Sequence, residues 1–394
     1  MAWRLECTVQ RYSWGDPSAI PAMLGVPGDG GPQAELWMGA HPSAPSLVEG
    51  QPLDERIAAD CGAALGCSVD ERFGQLPLLL KVLAAAGPLS IQVHPSLAQA
   101  RAGFAREESL GIGRGAADRT YKDPNHKPEL VCALTDFEAL CGFRPVAETL
   151  RLLDRLGCHA LEPLRLRLST SVSDEDALRS GIRWLLGLGR PDVETLVPDV
   201  VGALSRATAE YGREFVAEFA AYRDIARSFP GDIGVVVALL LNHIVLQPGQ
   251  AIFFGPGIVH AYLRGVGIEV MANSDNVVRG GLTAKHIDVA ELLDIIDTRP
   301  SAPMVQTARS EAHCFDAPVP EFALTRIGFD ADRSFPVVGP AIMLVTSGMA
   351  ELEQLGAIGQ GEAVFVPASD GSLMLAVERG ALVWVATPGP AAVG

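Results

Sequence analysis

Helical periodicity in this chain is confined to one block, residues 146–228, and β-type patterning lies on both sides of it. Within the block, "VAETLRLLDRL", "SDEDALRSGIRWLLGL" and "VVGALSRATAEYGREFVAEFAAYRDIARSF" place apolar residues three and four apart, the spacing that gives a helix one apolar face. Ser173 or Asp174 offers an N-cap. Residues 1–145 are instead rich in Gly, Pro and short apolar runs, with a few helical patches such as "LDERIAAD". After Pro230, "LQPGQAIFFGPGIVHAYLRG" reads as turn, strand, turn, strand. From Pro303 onward short strands ("LTRIGF", "AIMLVTSG", "EAVFVPA", "ALVWVAT") alternate with Gly/Pro turns. The expected division is a discontinuous β unit over 1–145 and 229–302, a helical insertion over 146–228 and a second β unit over 303–394.

Two antiparallel β units, one interrupted by helices, suggest a mostly β protein: a cupin-type double jelly roll with an added α-helical domain. Such barrels hold metals or ligands inside. With 48% hydrophobic and 20% charged residues in 394, the chain has material for folded cores and no signature of disorder. The formal charge of −16 argues against nucleic acid as a partner, since phosphate-backbone affinity needs clustered Lys and Arg. The longest apolar run, residues 233–246, contains Asn242 and His243 and falls short of the ~20 residues that span a bilayer. A buried helix entering a strand is expected there. The opening "MAWRLECTVQRYSWG" lacks the basic start and apolar run of a secretory signal. Seven scattered cysteines (Cys7, Cys61, Cys67, Cys132, Cys141, Cys158, Cys314) include no C-x-x-C pair, which fits reduced thiols and a cytoplasmic location. A monomer with no membrane partner is expected.

In "LSIQVHPS", residues 89–96, a strand would turn Leu89, Ile91 and Val93 one way and Ser90, Gln92 and His94 the other. Gln92 and His94 can then reach one point. In "DPNHKPELV", Lys127 and Glu129 flank Pro128, which favours extended backbone before it, so the two project together. His260 lies on another expected strand. Two imidazoles, a carboxylate and an amide oxygen make a mixed N/O set suited to Zn²⁺ or another divalent ion. Plainer readings stand beside this: a strand histidine is commonly a hydrogen-bonded structural residue, and Glu129 also fits a solvated edge.

The stretch "GIEVMANSDNVVRGGLTAKHIDVAELL", residues 267–293, crowds Glu269, Asp275 and Arg279 into turn-rich chain beside two glycines. Thr283 is the expected N-cap of a helix running through Ile296, which sets Lys285 in the first turn. Helix N-termini bind phosphate and Lys285 would reinforce that, although a solvated lysine explains it equally well.

"YKDPNHKPE" (121–129) and "HAYLRGVGIEVMANSDNVVRGGLTAKHID" (260–288) resemble the two signatures of the type I mannose-6-phosphate isomerase family. "YSWG", "AELWMGAHP" and "LSIQVHP" are similar to further family stretches, in the family's order, and the resemblance runs from the N-terminus to about residue 296. It implies a zinc-dependent cupin isomerase, with one Zn²⁺ per chain, interconverting D-mannose 6-phosphate and D-fructose 6-phosphate. Carried over residue by residue, Gln92, His94, Glu129 and His260 take the zinc-ligand places and Arg279 that of the active-site arginine. Ser90 and Lys285 match positions associated with the phosphate; Lys81, His126, Lys127, Glu269 and Asp275 match the remaining polar wall. The chain departs from the family pattern at Ala284, where Pro is common, at Asn273, where Ser or Cys is, and at Ser96, where many relatives have Asp. The C-terminal unit offers no matching motif.

Such an isomerase moves a proton between C1 and C2 through an enediol(ate). The resemblance gives Zn²⁺ the electrophile's part, with Arg279 as fixed positive charge and Ser90 and Lys285 as phosphate anchors. Glu269 or His126 is the favoured proton carrier, with Asp275, Lys127 and Lys81 as alternatives. Two rival readings remain. A cupin non-haem Fe(II) oxygenase also uses two histidines and a carboxylate, but Gln92 would fill a position needed for O₂. A non-catalytic sugar-phosphate-binding cupin leaves the metal set and Arg279 unexplained.

Overall fold

One strand, His260–Ala272, belongs to two layers of sheet at once. The computed structural model describes residues 1–207, 214–329 and 332–390. The second half of that strand lies between the antiparallel strands Leu78–Ala85 and Glu129–Ala133. Its first half lies between Phe137–Phe143 and Ile91–Val93. The first layer continues to Glu35–Gly39 and Thr8–Gln10 on one side and to Gln250–Phe254 and Gln306–Thr307 on the other. The second layer adds Leu241–Leu246 and Val278–Gly281. The crossing falls at Gly265, where φ is +123° and an added Cβ would stand 2.5 Å from the Asp136 carbonyl oxygen. Pairing register slips just before it, between Tyr262 and Arg264, as expected where a strand turns a corner between sheets. Leu83, Val131, Phe137, Ala139, Phe254 and Tyr262 fill the space between the layers.

The outer face of the first layer is apolar too, and it is covered by the C-terminal chain. Leu36, Leu78, Leu80, Val82, Ile268 and Val270 share a core with Leu324, Ile342, Leu344, Phe365 and Trp384. The covering sheet runs, in order, Trp3–Leu5, Ala363–Val366, Ala341–Ser347, Leu382–Thr387, Ala323–Gly328 and Ala312–Cys314. The chain's first strand therefore pairs with residues near its end. A four-stranded sheet packs on the far side through Met343, Val345, Val364, Val366 and Val383. Both faces of these strands are buried, which is why "AIMLV", "AVFV" and "LVWVA" are unbroken apolar runs rather than alternating ones.

Helices Val146–Leu156, Glu162–Thr170, Asp174–Leu186, Arg190–Ala207 and Val216–Ser228 bury their apolar faces against one another and against the back of the second layer at Ile91, Val93 and Leu140. Ser173 caps the third of these by accepting the Asp176 N–H. The helical reading across residues 208–213 lies outside the described residues. The apolar run 233–246 forms a short helix, Gly234–Ala238, followed by a strand. Among the described residues no helix is long and apolar enough to cross a membrane.

Two local expectations fail. The strand in "LSIQVHPS" covers only Ile91–Val93, leaving Ser90 and His94 just outside its ends. The helix expected from Thr283 starts six residues later, at Val289–Ile295, because Asp288 supplies the cap to Glu291 N–H. Thr283 instead uses its hydroxyl to accept the Lys285 N–H in a local turn, and its own N–H goes to Asp232. Lys285 is thus on a loop, and no helix dipole acts on it.

Replacing Gly265 with Val should cost more than about 2 kcal/mol of stability, seen as a lowered urea midpoint. Gly62→Ala, inside the helix Cys61–Leu65 with room for a Cβ, should leave that midpoint unchanged or raise it.

Candidate metal centre and substrate cleft

The corner strand brings its first residue, His260, opposite the other layer. Gln92 is its direct neighbour within the second layer, and His94 follows two residues on. Glu129 opens its own strand in the first layer, paired with Phe254 and Met271. Across the gap, His260 Nε2 lies 3.2 Å from Glu129 Oε2 and His94 Nε2 lies 3.5 Å from Glu129 Oε1. One donor atom from each of His94, Glu129 and His260 falls within 4.8 Å of the others, and all three residues are buried. The Gln92 amide stands 3.3 Å from His260 Nε2 through its nitrogen; a half-turn of the amide would present Oε1 instead.

Both imidazoles are held in one tautomer. His94 Nδ1 faces the Asn276 carbonyl at 2.8 Å and His260 Nδ1 faces the Ile258 carbonyl at 2.9 Å. A carbonyl only accepts, so each Nδ1 carries the proton and each Nε2 keeps its lone pair for the centre. His94 Nε2 is buried with no hydrogen-bond partner, a costly arrangement unless something else meets the lone pair. Burial pushes His94 down to about 4, against the opposing pull of Glu129, so the ring is neutral near pH 7. Burial also raises Glu129, but Lys127 and then His94 outweigh it and hold the carboxyl well below its ordinary range. A neutral His94 ring, a second imidazole, an ionised carboxylate and a rotatable amide fit Zn²⁺.

A cleft of about 530 Å³ opens beside this cluster, and Ser90, Gln92, Lys81, Lys127, Asp275, Arg279 and Lys285 line it. Arg279 sits next to Gln92 across the second layer. Burial lowers Arg279 somewhat, and Arg279 in turn is the main cause of a lowered Lys285, followed by burial and Lys122. Three cations therefore converge at one end of the cleft.

Glu269 and His126 are placed differently from expectation. Glu269 is buried behind Lys81, accepting bonds from Lys81 Nζ (3.0 Å) and Tyr262 OH (2.8 Å). Burial raises its pKa, with Lys81 opposing. His126 lies in another cavity, walled in part by Arg72 and Arg101, with Nε2 2.9 Å from Glu321. In extended chain adjacent side chains point oppositely, so Lys127 facing Glu129 sends His126 the other way. Lys81 does not have the depressed pKa a base would need. Burial opposes its charge, but Glu269 and Glu35 raise it above the usual lysine range.

Other wall residues went unnamed in the sequence reading: Tyr12, Trp14, Glu35, Trp37, His41 and Lys122. "YSWG" and "AELWMGAHP" held the signal for the first five. Glu35 and Trp37 alternate toward Lys81 on the neighbouring strand, and Trp37 Nε1 donates to Glu35 at 2.6 Å. His41 Nδ1 accepts the Ser43 N–H, which leaves the ring proton on Nε2, 3.6 Å from Asp275 Oδ1.

In metal-free protein the depressed His94 has a direct consequence. Between its ordinary value of 6.5 and about 4 the unfolded chain binds a proton that the folded one refuses. Stability should therefore fall as pH drops through that window, by up to about 3 kcal/mol from His94. Urea unfolding of the metal-free protein at pH 7.5, 5.5 and 4.5 should show that slope, and it should flatten in His94→Gln.

A sequence model of the phosphomannose isomerase type I catalytic domain matches residues 2–146. Mannose-6-phosphate isomerase of Escherichia coli K12 is 37% identical over 93% of this chain and 95% of that relative. The Schizosaccharomyces pombe enzyme of the same name is 33% identical over 93% and 95%. A crystal structure of mannose 6-phosphate isomerase bound with zinc and yttrium superposes with a TM-score of 0.86 at 36% identity, covering 98% of this chain and all of that one. The apo form from Salmonella typhimurium gives 0.88 at 35% identity, covering 98% and 99%. By similarity along nearly its whole length, this chain belongs to the type I phosphomannose isomerase family.

Proposed function

We propose that the protein is a zinc-dependent aldose–ketose isomerase interconverting mannose 6-phosphate and fructose 6-phosphate, with one Zn²⁺ held by His94, Glu129, His260 and Gln92. The observation that carries this reading is the orphaned, neutral His94 Nε2 beside an ionised Glu129 at the wall of a cleft with three cations at one end. Zn²⁺ there supplies Lewis-acid stabilisation of negative charge on a substrate oxygen. Lys285 and Ser90 bind the phosphate, whose anchoring positions C1 and C2. Asp275, half-exposed in the cleft and backed by His41, takes the proton from C2 of the aldose. The released electron pair forms the C1–C2 double bond as the carbonyl pair moves onto O1. A proton then passes from the O2 hydroxyl to O1, and as C2=O forms the double-bond pair takes the proton back at C1, which gives the ketose. Arg279 offers fixed positive charge to the developing oxyanion. Asp275 is preferred to Glu269 and His126 in this role because Glu269 is buried and bonded to Lys81 and Tyr262, and His126 pairs with Glu321 in another cavity.

The fold reading goes with it: a double jelly roll of cupin type, a catalytic barrel over 1–145 and 229–302, a helical insertion over 146–228 and a C-terminal β unit over 303–394 that borrows the strand Trp3–Leu5. The described cysteines are all unpaired, which supports a reducing, cytoplasmic setting, and we take the working unit to be a monomer.

Chelation should abolish fructose 6-phosphate turnover in a coupled assay and Zn²⁺ should restore it. Undiminished activity in protein shown to be metal-free would refute the reading. The wall residues should separate kinetically. Arg279→Ala and Asp275→Asn should keep zinc and lose about 10²- to 10³-fold in kcat, while Lys285→Ala should act mainly on KM. A pure KM effect in Arg279→Ala would make Arg279 a phosphate clamp.

A further inference from the structure

We infer that Asn276 is a positioning residue that fixes the two metal-bearing segments against each other. Its side chain is 1% exposed and fully used. Nδ2 donates to the carbonyls of Asp123 (2.7 Å) and Asn125 (2.8 Å), and Oδ1 accepts the Lys122 N–H at 2.8 Å. Its backbone carbonyl accepts His94 Nδ1–H at 2.8 Å. One residue thus holds the loop that leads through Lys127 to Glu129 and, from the same Cα, the ring of His94. These two ligands come from opposite layers, and no strand pairing joins His94 to Glu129. Neighbouring bonds reinforce the junction: Asp123 accepts the Asp275 N–H at 2.8 Å and the Ser274 hydroxyl at 2.9 Å. The Asn276 clamp also fixes the backbone of Lys122, one of the cleft's cations.

The chemistry of the position is restrictive. It needs a planar group with donors on one side and an acceptor on the other, which only a primary amide supplies. Asp would set a carboxylate oxygen against two carbonyls, and Gln is one methylene too long for so closed a site.

The inference rests on the zinc reading, and the test separates the two. Zinc affinity is measured by chelator competition on metal-free wild type, His94→Ala, Asn276→Ala and Asn276→Asp, with circular dichroism and urea unfolding to establish that each is folded. Asn276→Asp is close in shape and guards against collapse of the Ala variant. Wild type should bind one Zn²⁺ and His94→Ala none, while both Asn276 variants should bind about 10- to 100-fold more weakly, the range for loss of a group that orients metal ligands. A residue that served only the fold would lower the urea midpoint and leave the affinity of the folded protein at the wild-type value; that result overturns the inference. Failure of wild type to bind zinc overturns the zinc reading itself, and the inference with it.

Discussion

Burying the Glu129 carboxylate between two layers of sheet costs several kcal/mol unless opposite charge or a cation meets it. In this protein Lys127 covers one side of Glu129 and the Nε2 atoms of two imidazoles face the other. The lysine is enough to keep the carboxylate ionised, yet it leaves His94 Nε2 without a hydrogen-bond partner. A divalent cation resolves both problems, since it neutralises the acid and accepts the lone pairs. The surrounding hydrogen bonds make sense only in that light. Each Nδ1–H is spent on a carbonyl, so neither ring can turn to find a proton-bearing neighbour and relieve the strain.

The same logic of paired charge extends along the barrel wall. Lys81 stands among Glu269, Glu35 and Trp37, charged and buried, so it cannot easily give up its proton. The interior therefore presents fixed charges near the cluster, and of the two carboxylates that line the cleft among the described residues Glu35 is buried while Asp275 is open to solvent. At the other end of the cleft the sign reverses: Lys122, Arg279 and Lys285 repel one another. An overall charge of −16 would discourage an anionic substrate at long range, and the local cations act where screening is weakest, inside the cleft.

How much of this was legible follows from periodicity. Features with a repeat could be read: the apolar runs of doubly buried strands, the helical block, and the alternation that turns Ser90 and Gln92 into the same cleft. Applied one residue further, the same alternation rule would have sent His126 away from Lys127 and out of the cleft. The Thr283 helix was misread because two residues nearby, Thr283 and Asp288, can each cap, and only the fold brings Asp232 to occupy the Thr283 N–H. Asn276 was invisible for a different reason. Its role depends on contacts with Lys122, Asp123 and Asn125, chain about 150 residues away, which leave no local pattern.

The cleft-lining residues run from Tyr12 to Lys285, so the C-terminal sheet contributes no group to the wall. Its work is to cover the outer apolar face of the first layer, the side of Leu36, Leu80 and Val270, without which that layer would expose a broad hydrophobic surface. A metal would complete the same assembly from the inside. The candidate ligands His94, Glu129 and His260 come from both layers, so an ion held there would bind well only when the corner strand has closed them on each other. Binding to the folded state alone stabilises by RT ln(1 + [L]/Kd), about 4 kcal/mol at a thousandfold excess over Kd. That is comparable to the net stability of a small domain, so catalysis and closure of the two layers would draw on one coordination event. Between them, a metal at this centre would hold the two layers together, and the C-terminal sheet holds the first layer from behind.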